Sequence, residues 1–127
     1  VGPYNHYMKM SPFADFRVAD IGDVHLLTTC NLEEALQDIE AFYRKIASAG
    51  VVPITAGGDH SITYPILRGI ARQEGLALSI STAIAILPNP MAGPALHQGC
   101  PFRNAVESGL VNPEHTIQVG IRGGTEP

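Results

Sequence analysis

The sequence predicts an α/β fold: a parallel sheet with helices on its faces. Three observations carry this. Short β-prone apolar runs alternate with helical patterns along the chain. The turns between them hold Gly, Pro, Asp and Asn at the points where a strand would hand over to a helix. The 127 residues are 45% apolar and 16% charged, enough for one modest domain with a real core.

The elements follow in order. "FRVADIGDV" (16–24) reads as a strand running into a turn at Asp20, Gly22 and Asp23. Asn31 then caps a helix whose first turn carries Glu33 and Glu34, as the dipole favours. Leu32, Ala35, Leu36, Ile39, Phe42, Tyr43 and Ile46 recur at helical spacing and mark its buried face, and Gly50 ends it. "VVPIT" (51–55) reads as a short buried strand, followed by the turn Ala56-Gly57-Gly58-Asp59-His60-Ser61. Ser61 is placed to cap the next helix, where Pro65 is tolerated in the first turn. Ile66, Leu67 and Ile70 point that helix inward, and Gly75 closes it. "LALSI" (76–80) is a strand, "PFRNAVESG" (101–109) a helix with a glycine stop, and "HTIQVGI" (115–121) a strand. In such sheets ligands bind beyond the carboxyl ends of the strands. Asp23, the turn 57–61 and the residues after position 80 are expected at that edge.

Composition excludes several classes of function. The formal charge is −4, the five histidines are scattered, and no Lys/Arg cluster exists, so nucleic acid is not an expected partner. Apolar stretches are broken well short of the roughly 18 residues a membrane span requires, and no N-terminal signal pattern is present. Cys30 and Cys100 form no CxxC pair; two lone thiols suit a reducing cytoplasm. The chain opens on "VGPYNHYMKMSPF" and stops at "VGIRGGTEP", and residues 1–127 are expected to be part of a larger domain truncated at both ends.

The turn "GGDHS" holds the chemistry. Taken singly, each residue has a plain structural reading. His60 would be a satisfied structural histidine, Asp59 would hydrogen-bond its own turn, and the glycines would serve helix entry. A complete phosphate loop is missing, which removes the nucleotide-binding reading. As a block between a strand and a helix, the five residues are far more specific.

"AGGDHSITYPILRGIA" resembles the signature of the ureohydrolases: arginase, agmatinase, guanidinobutyrase and their relatives. The resemblance extends to "RVADIGDV", "IEAFYRKIASAGVVPITAGGDHS" and "PFRNAVESGLVNPEHTIQVGIRGG", and covers nearly the whole chain outside about 79–98. "GGDHSIT" and "IQVGIRGG" favour the agmatinase/guanidinobutyrase branch. The resemblance implies a three-layer αβα fold of arginase-like type, incomplete here. It also implies two Mn²⁺ ions that activate a bridging hydroxide for attack on a guanidinium carbon, releasing urea. By the family pattern His60 is a metal ligand and Asp59 a residue orienting the loop. The substrate would be a small guanidino compound, and the full-length parent a homo-oligomer.

One stretch departs from the pattern. The family's next strand ends in Asp-(Ala/Gly)-His-x-Asp, and alignment on "GLAL" places Thr82, Ala83, Ile84, Ala85 and Ile86 there. Those side chains cannot replace two carboxylates and an imidazole, so at most one weakly held ion is expected. A change of reading frame accounts for this. "SISTAIAIL" written AGC-ATT-TCG-ACG-GCC-ATT-GCG-ATA-CTN and started two bases later gives His-Phe-Asp-Gly-His-Cys-Asp-Thr, the missing motif in register. Residues from about 79 to before 97 are therefore read as out-of-frame text; the other reading is a diverged apolar strand. "LPNPMAGPA" within it is expected to be an irregular exposed loop. The family also has His-Gly before its Pro-Phe, near the substrate and serving as a proton relay. Gln98 stands at that position here, with His97 one residue before as the candidate catalytic residue; a surface histidine is the alternative. Arg122 is read as structural, or as facing a substrate carboxylate. The family's second ligand motif, Asp-x-Asp, would lie beyond Pro127. The enzyme and a non-catalytic remnant lacking the dinuclear site are thus the two functional expectations.

Overall fold

The computed structural model describes residues 4–71, 75–82 and 99–122. The elements are α1 (Pro12–Asp15), α2 (Leu32–Ser48), a 3₁₀ turn (His60–Ile62), α3 (Thr63–Ile70), β1 (Leu76–Ser81), α4 (Pro101–Glu107) and β2 (Val111–Val119). β1 and β2 pair in parallel, with α4 lying in the connection between them. A parallel pair requires such a crossover, so the α/β class holds.

The cap of α2 is the one its sequence predicts. Asn31 Oδ1 accepts from the backbone N–H groups of Glu33 and Glu34, and Asn31 Nδ2 donates to Glu34 Oε1 at 2.9 Å. That reciprocal arrangement satisfies donors which the first helical turn leaves open. Ala35, Leu36, Ile39, Tyr43 and Ile46 are buried, whereas Leu32 is half exposed. Glu40, which lies on the same face, is also buried.

Two apolar clusters hold the molecule together. Leu36, Ile39, Tyr43 and Ile46 of α2 meet Ile62 and Ile66. Leu67, Ile80, Phe102, Ala105 and Val111 form the second, between α3, α4 and the sheet. Ile70 touches both, so α3 is the slab joining α2 to the sheet. Its approach to α2 is close at Gly69: a Cβ there would lie 2.6 Å from Tyr43 Cβ and 2.9 Å from the Glu40 carbonyl oxygen. Only glycine fits.

Several boundaries differ from the sequence expectation. Residues 16–24 and 51–55 form no strand, and Val52 and Ile54 are 89% and 94% exposed. A strand exists only through ladder partners, and among the described residues none lies beside these runs. Asp59, not Ser61, caps the turn at His60, and α3 begins at Thr63. α3 ends at Ile70 with Ala71 as its cap, and Gly75 directly precedes β1. β2 starts earlier than expected, at Val111. Its register slips between the pairs Leu76↔Val111 and Leu78↔Thr116, and Pro113, which has no N–H to donate, sits in that irregularity. Leu78 and Ile80 face the helices, whereas Ser79, Ser81, Ile117 and Val119 lie on the exposed face. The described residues therefore make two of the three expected layers.

Candidate functional site

The site is the turn between residue 55 and α3. Gly57 and Gly58 have φ of +104° and +76°, a region that side chains with a Cβ avoid. These two residues reverse the chain and set Asp59 at the head of the 3₁₀ turn. Asp59 Oδ1 accepts from the Ser61 backbone N–H at 2.8 Å and from the Ser61 hydroxyl. Those two bonds, the hydroxyl first, hold the Asp59 carboxyl below its ordinary value of 3.8; the neighbouring His60 adds a little and partial desolvation opposes. The carboxylate is thereby committed to shaping its own turn, the local role open to it from sequence.

His60 is exposed at the start of the 3₁₀ turn. Its Nδ1 lies 3.0 Å from Thr63 Oγ1, and its ring stands near-perpendicular to Phe102, with centroids 5.4 Å apart. A bond at Nδ1 fixes the ring's orientation and leaves Nε2 for a proton, a ligand or a cation. Phe102, at the start of α4, is the neighbour that sequence reasoning missed. Nothing in a local pattern joins an apolar helix residue to a histidine so far away in the chain.

The upstream side of the turn is tied by another unforeseen contact, Tyr43 OH to Thr55 Oγ1 at 2.6 Å. Below α3, Glu40 accepts from Arg44 and from Arg68 Nε at 3.0 Å, while the Arg68 guanidinium lies 5.7 Å above the Tyr64 ring. The buried carboxylate thus clamps α2 to α3, and with it the start of the helix that carries His60.

Elsewhere, Asp23 and Arg122 are exposed. Asp20 binds the Gly22 N–H at 2.9 Å, closing the predicted turn. Cys30 is exposed, Cys100 is buried, and neither is in a disulfide. Thr82 extends β1 by donating its N–H to the Val119 carbonyl at 3.1 Å. His97, Gln98, Ala83, Ile84, Ala85, Ile86 and the "LPNPMAGPA" segment lie outside the described residues.

Two divalent ions do not fit the donor set at this site. Among the described residues no group of three or more His, Cys, Asp or Glu side chains comes together. His60 offers one imidazole, Asp59 is engaged by Ser61, and residues 76–96 contain no Asp, Glu, His or Cys at all. Mn²⁺ is held by carboxylates, imidazoles and water in sets of several, and a lone exposed imidazole supplies one.

No helix among the described residues is long and apolar enough to cross a membrane.

Comparison with known proteins supplies what the geometry lacks. The sequence profile of the Arginase family matches residues 1–127. The mitochondrial guanidino acid hydrolase of Homo sapiens is 39% identical over 124 residues, covering 97% of this chain and 35% of the relative. The guanidinobutyrase of Pseudomonas aeruginosa is 42% identical over 123 residues, covering 96% of this chain and 38% of the relative. A crystal structure of a hypothetical agmatinase from Burkholderia thailandensis superposes with a TM-score of 0.86 at 31% identity, over 96% of this chain and 39% of that one. The chain thus spans little more than a third of the length of these relatives.

Proposed function

The chain belongs to the Arginase family, and from that premise we propose that the whole protein hydrolyses a linear guanidino compound, agmatine or a guanidino acid, to urea and an amine. The observation that carries this reading is the "GGDHS" turn. It is built as a presenting loop, with two left-handed glycines, a self-capped Asp59 and an exposed His60 oriented by Thr63. The similarity to a guanidino acid hydrolase and a guanidinobutyrase over nearly all of this chain supports the substrate class. Manganese as the cofactor, a homo-oligomeric parent and a cytoplasmic location belong to the same proposal. His97 is its candidate proton relay, and nucleic acid and membrane have no part in it.

The 127 residues as written are proposed to be inactive. The specific observation is the run 76–96, which carries no Asp, Glu, His or Cys side chain to hold a divalent cation. This supports a second reading for this polypeptide: a non-catalytic remnant or assembly piece. It also supports the proposal that residues from about 79 to 96 are read out of frame.

Urea release from agmatine, guanidinobutyrate and arginine, with added Mn²⁺, tests both readings. The chain as written should release none; turnover on the order of 10 s⁻¹, typical of enzymes, would overturn its assignment as inactive. Resequencing across codons 78–100 should reveal the frame change, and a frame-repaired full-length protein should release urea from one of the three substrates. A repaired protein that folds, binds Mn²⁺ and releases no urea would overturn the guanidino reading.

A further inference from the structure

We infer that Phe102 is a positioning residue for His60, a role that rests on the reading of His60 as the functional side chain of the turn.

The His60 imidazole meets Thr63 and Phe102 in different ways. Its Nδ1 lies 3.0 Å from Thr63 Oγ1, three residues on in the same stretch of chain. That bond orients the imidazole relative to its own turn. It leaves the ring able to pivot about the line joining the two bonded atoms. Phe102 comes from α4, a different element. Its ring meets the imidazole at 72° with centroids 5.4 Å apart, an edge-to-face arrangement that aromatic rings favour. A contact lying off the hydrogen-bond axis stops the pivot. Because it arises on another helix, it also refers the imidazole to the rest of the fold.

Phe102 is itself firmly held. Pro101, at the first helical position of α4, is fully buried, and its ring fixes φ where the helix begins. The Asn104 N–H closes the first turn onto the Cys100 carbonyl at 2.9 Å. The Phe102 ring is 8% exposed and packs in one cluster with Leu67 of α3, Ile80 of β1, Ala105 of α4 and Val111 of β2. Those neighbours come from two helices and two strands. The ring is thus seated in the core and carries its position outward to the imidazole.

The test reads the orientation of the imidazole and not catalysis, so it stands whether or not the proposed activity does. Three-bond couplings across the His60 Cα–Cβ bond report how the side chain divides between staggered rotamers. Chemical shift alone is no guide, because losing a neighbouring ring moves it in any geometry. The parent should hold one dominant rotamer. Phe102→Leu, which keeps an apolar side chain in the core, should leave His60 averaging between rotamers. Phe102→Met, flexible enough to fill an irregular gap, should do the same and serves where the leucine variant does not fold. Val111→Ala opens a cavity in the same cluster, at the amino end of β2, and should lower the melting temperature while sparing the rotamer. An already averaged parent would overturn the proposal, as would one retained rotamer in both Phe102 variants. So would a Val111→Ala variant in which His60 averages as it does in Phe102→Leu.

Discussion

The rings of His60 and Phe102 meet at an interplanar angle of 72° with centroids 5.4 Å apart, so the candidate ligand rests on the helix that connects the two strands. Phe102 is 8% exposed and also belongs to the cluster around Leu67, Ile80, Ala105 and Val111. Phe102→Ala should cost about 3–5 kcal/mol by leaving a cavity. Phe102→Leu should cost less, while still removing the aromatic contact worth about 0.5–1.5 kcal/mol. Chemical denaturation measures the first effect. The ring-current shift of the His60 imidazole measures the second and should vanish in both variants.

Glu40 should be worth less than its burial suggests. Its carboxylate is covered, yet the side chains of Arg44 and Arg68 are 65% and 49% exposed. Removing Glu40 therefore frees two guanidinium groups that can turn into water, and strands no buried charge. Glu40→Ala should destabilise by roughly 1–2 kcal/mol, and raising the salt concentration should narrow the difference. A loss above about 4 kcal/mol in urea denaturation would mean that the guanidinium groups are trapped.

Acid should weaken the turn through Asp59. Its folded carboxyl is held below the ordinary 3.8, mainly by the Ser61 hydroxyl and then by the Ser61 N–H. In that window the unfolded chain binds more protons than the folded one. The stabilisation is thus complete above 3.8 and is lost as pH falls through the lower folded value. Ser61→Ala should raise the Asp59 value toward 3.8. The stability gap between parent and variant should be present at neutral pH and close below the folded value. Carboxyl ¹³C titration and denaturation curves at several pH values check the two halves of this prediction.

Metal binding should be weak and depend on one imidazole. With Thr82 at the end of β1 and no carboxylate or imidazole in 76–96, titration with Mn²⁺ should show no tight site by electron paramagnetic resonance. Any residual binding should disappear in His60→Ala. Stoichiometric uptake of two ions per chain would show that ligands come from other residues.

Much of this was legible from the residues alone. The α/β class followed from alternating periodicities, and the start of α2 from Asn31 and Glu34, because caps and helical faces are decided within one or two turns of chain. The "GGDHS" turn was legible for the same reason: paired glycines permit its backbone, and Asp59 and Ser61 close it locally. The run after β1, bare of metal ligands, needed only its composition. What the sequence could not show was decided by residues distant along the chain. Residues 16–24 and 51–55 carry strand-like patterns, yet a strand is a property of a pair, and among the described residues they have no partner. Glu40 fell on a helix face predicted to be apolar, because Arg68 from another helix makes its burial tolerable. Phe102 beneath His60, and Tyr43 holding Thr55, are contacts that only the packing of α2, α3 and α4 brings about. Local chemistry shaped the turn; tertiary packing decided where it stands.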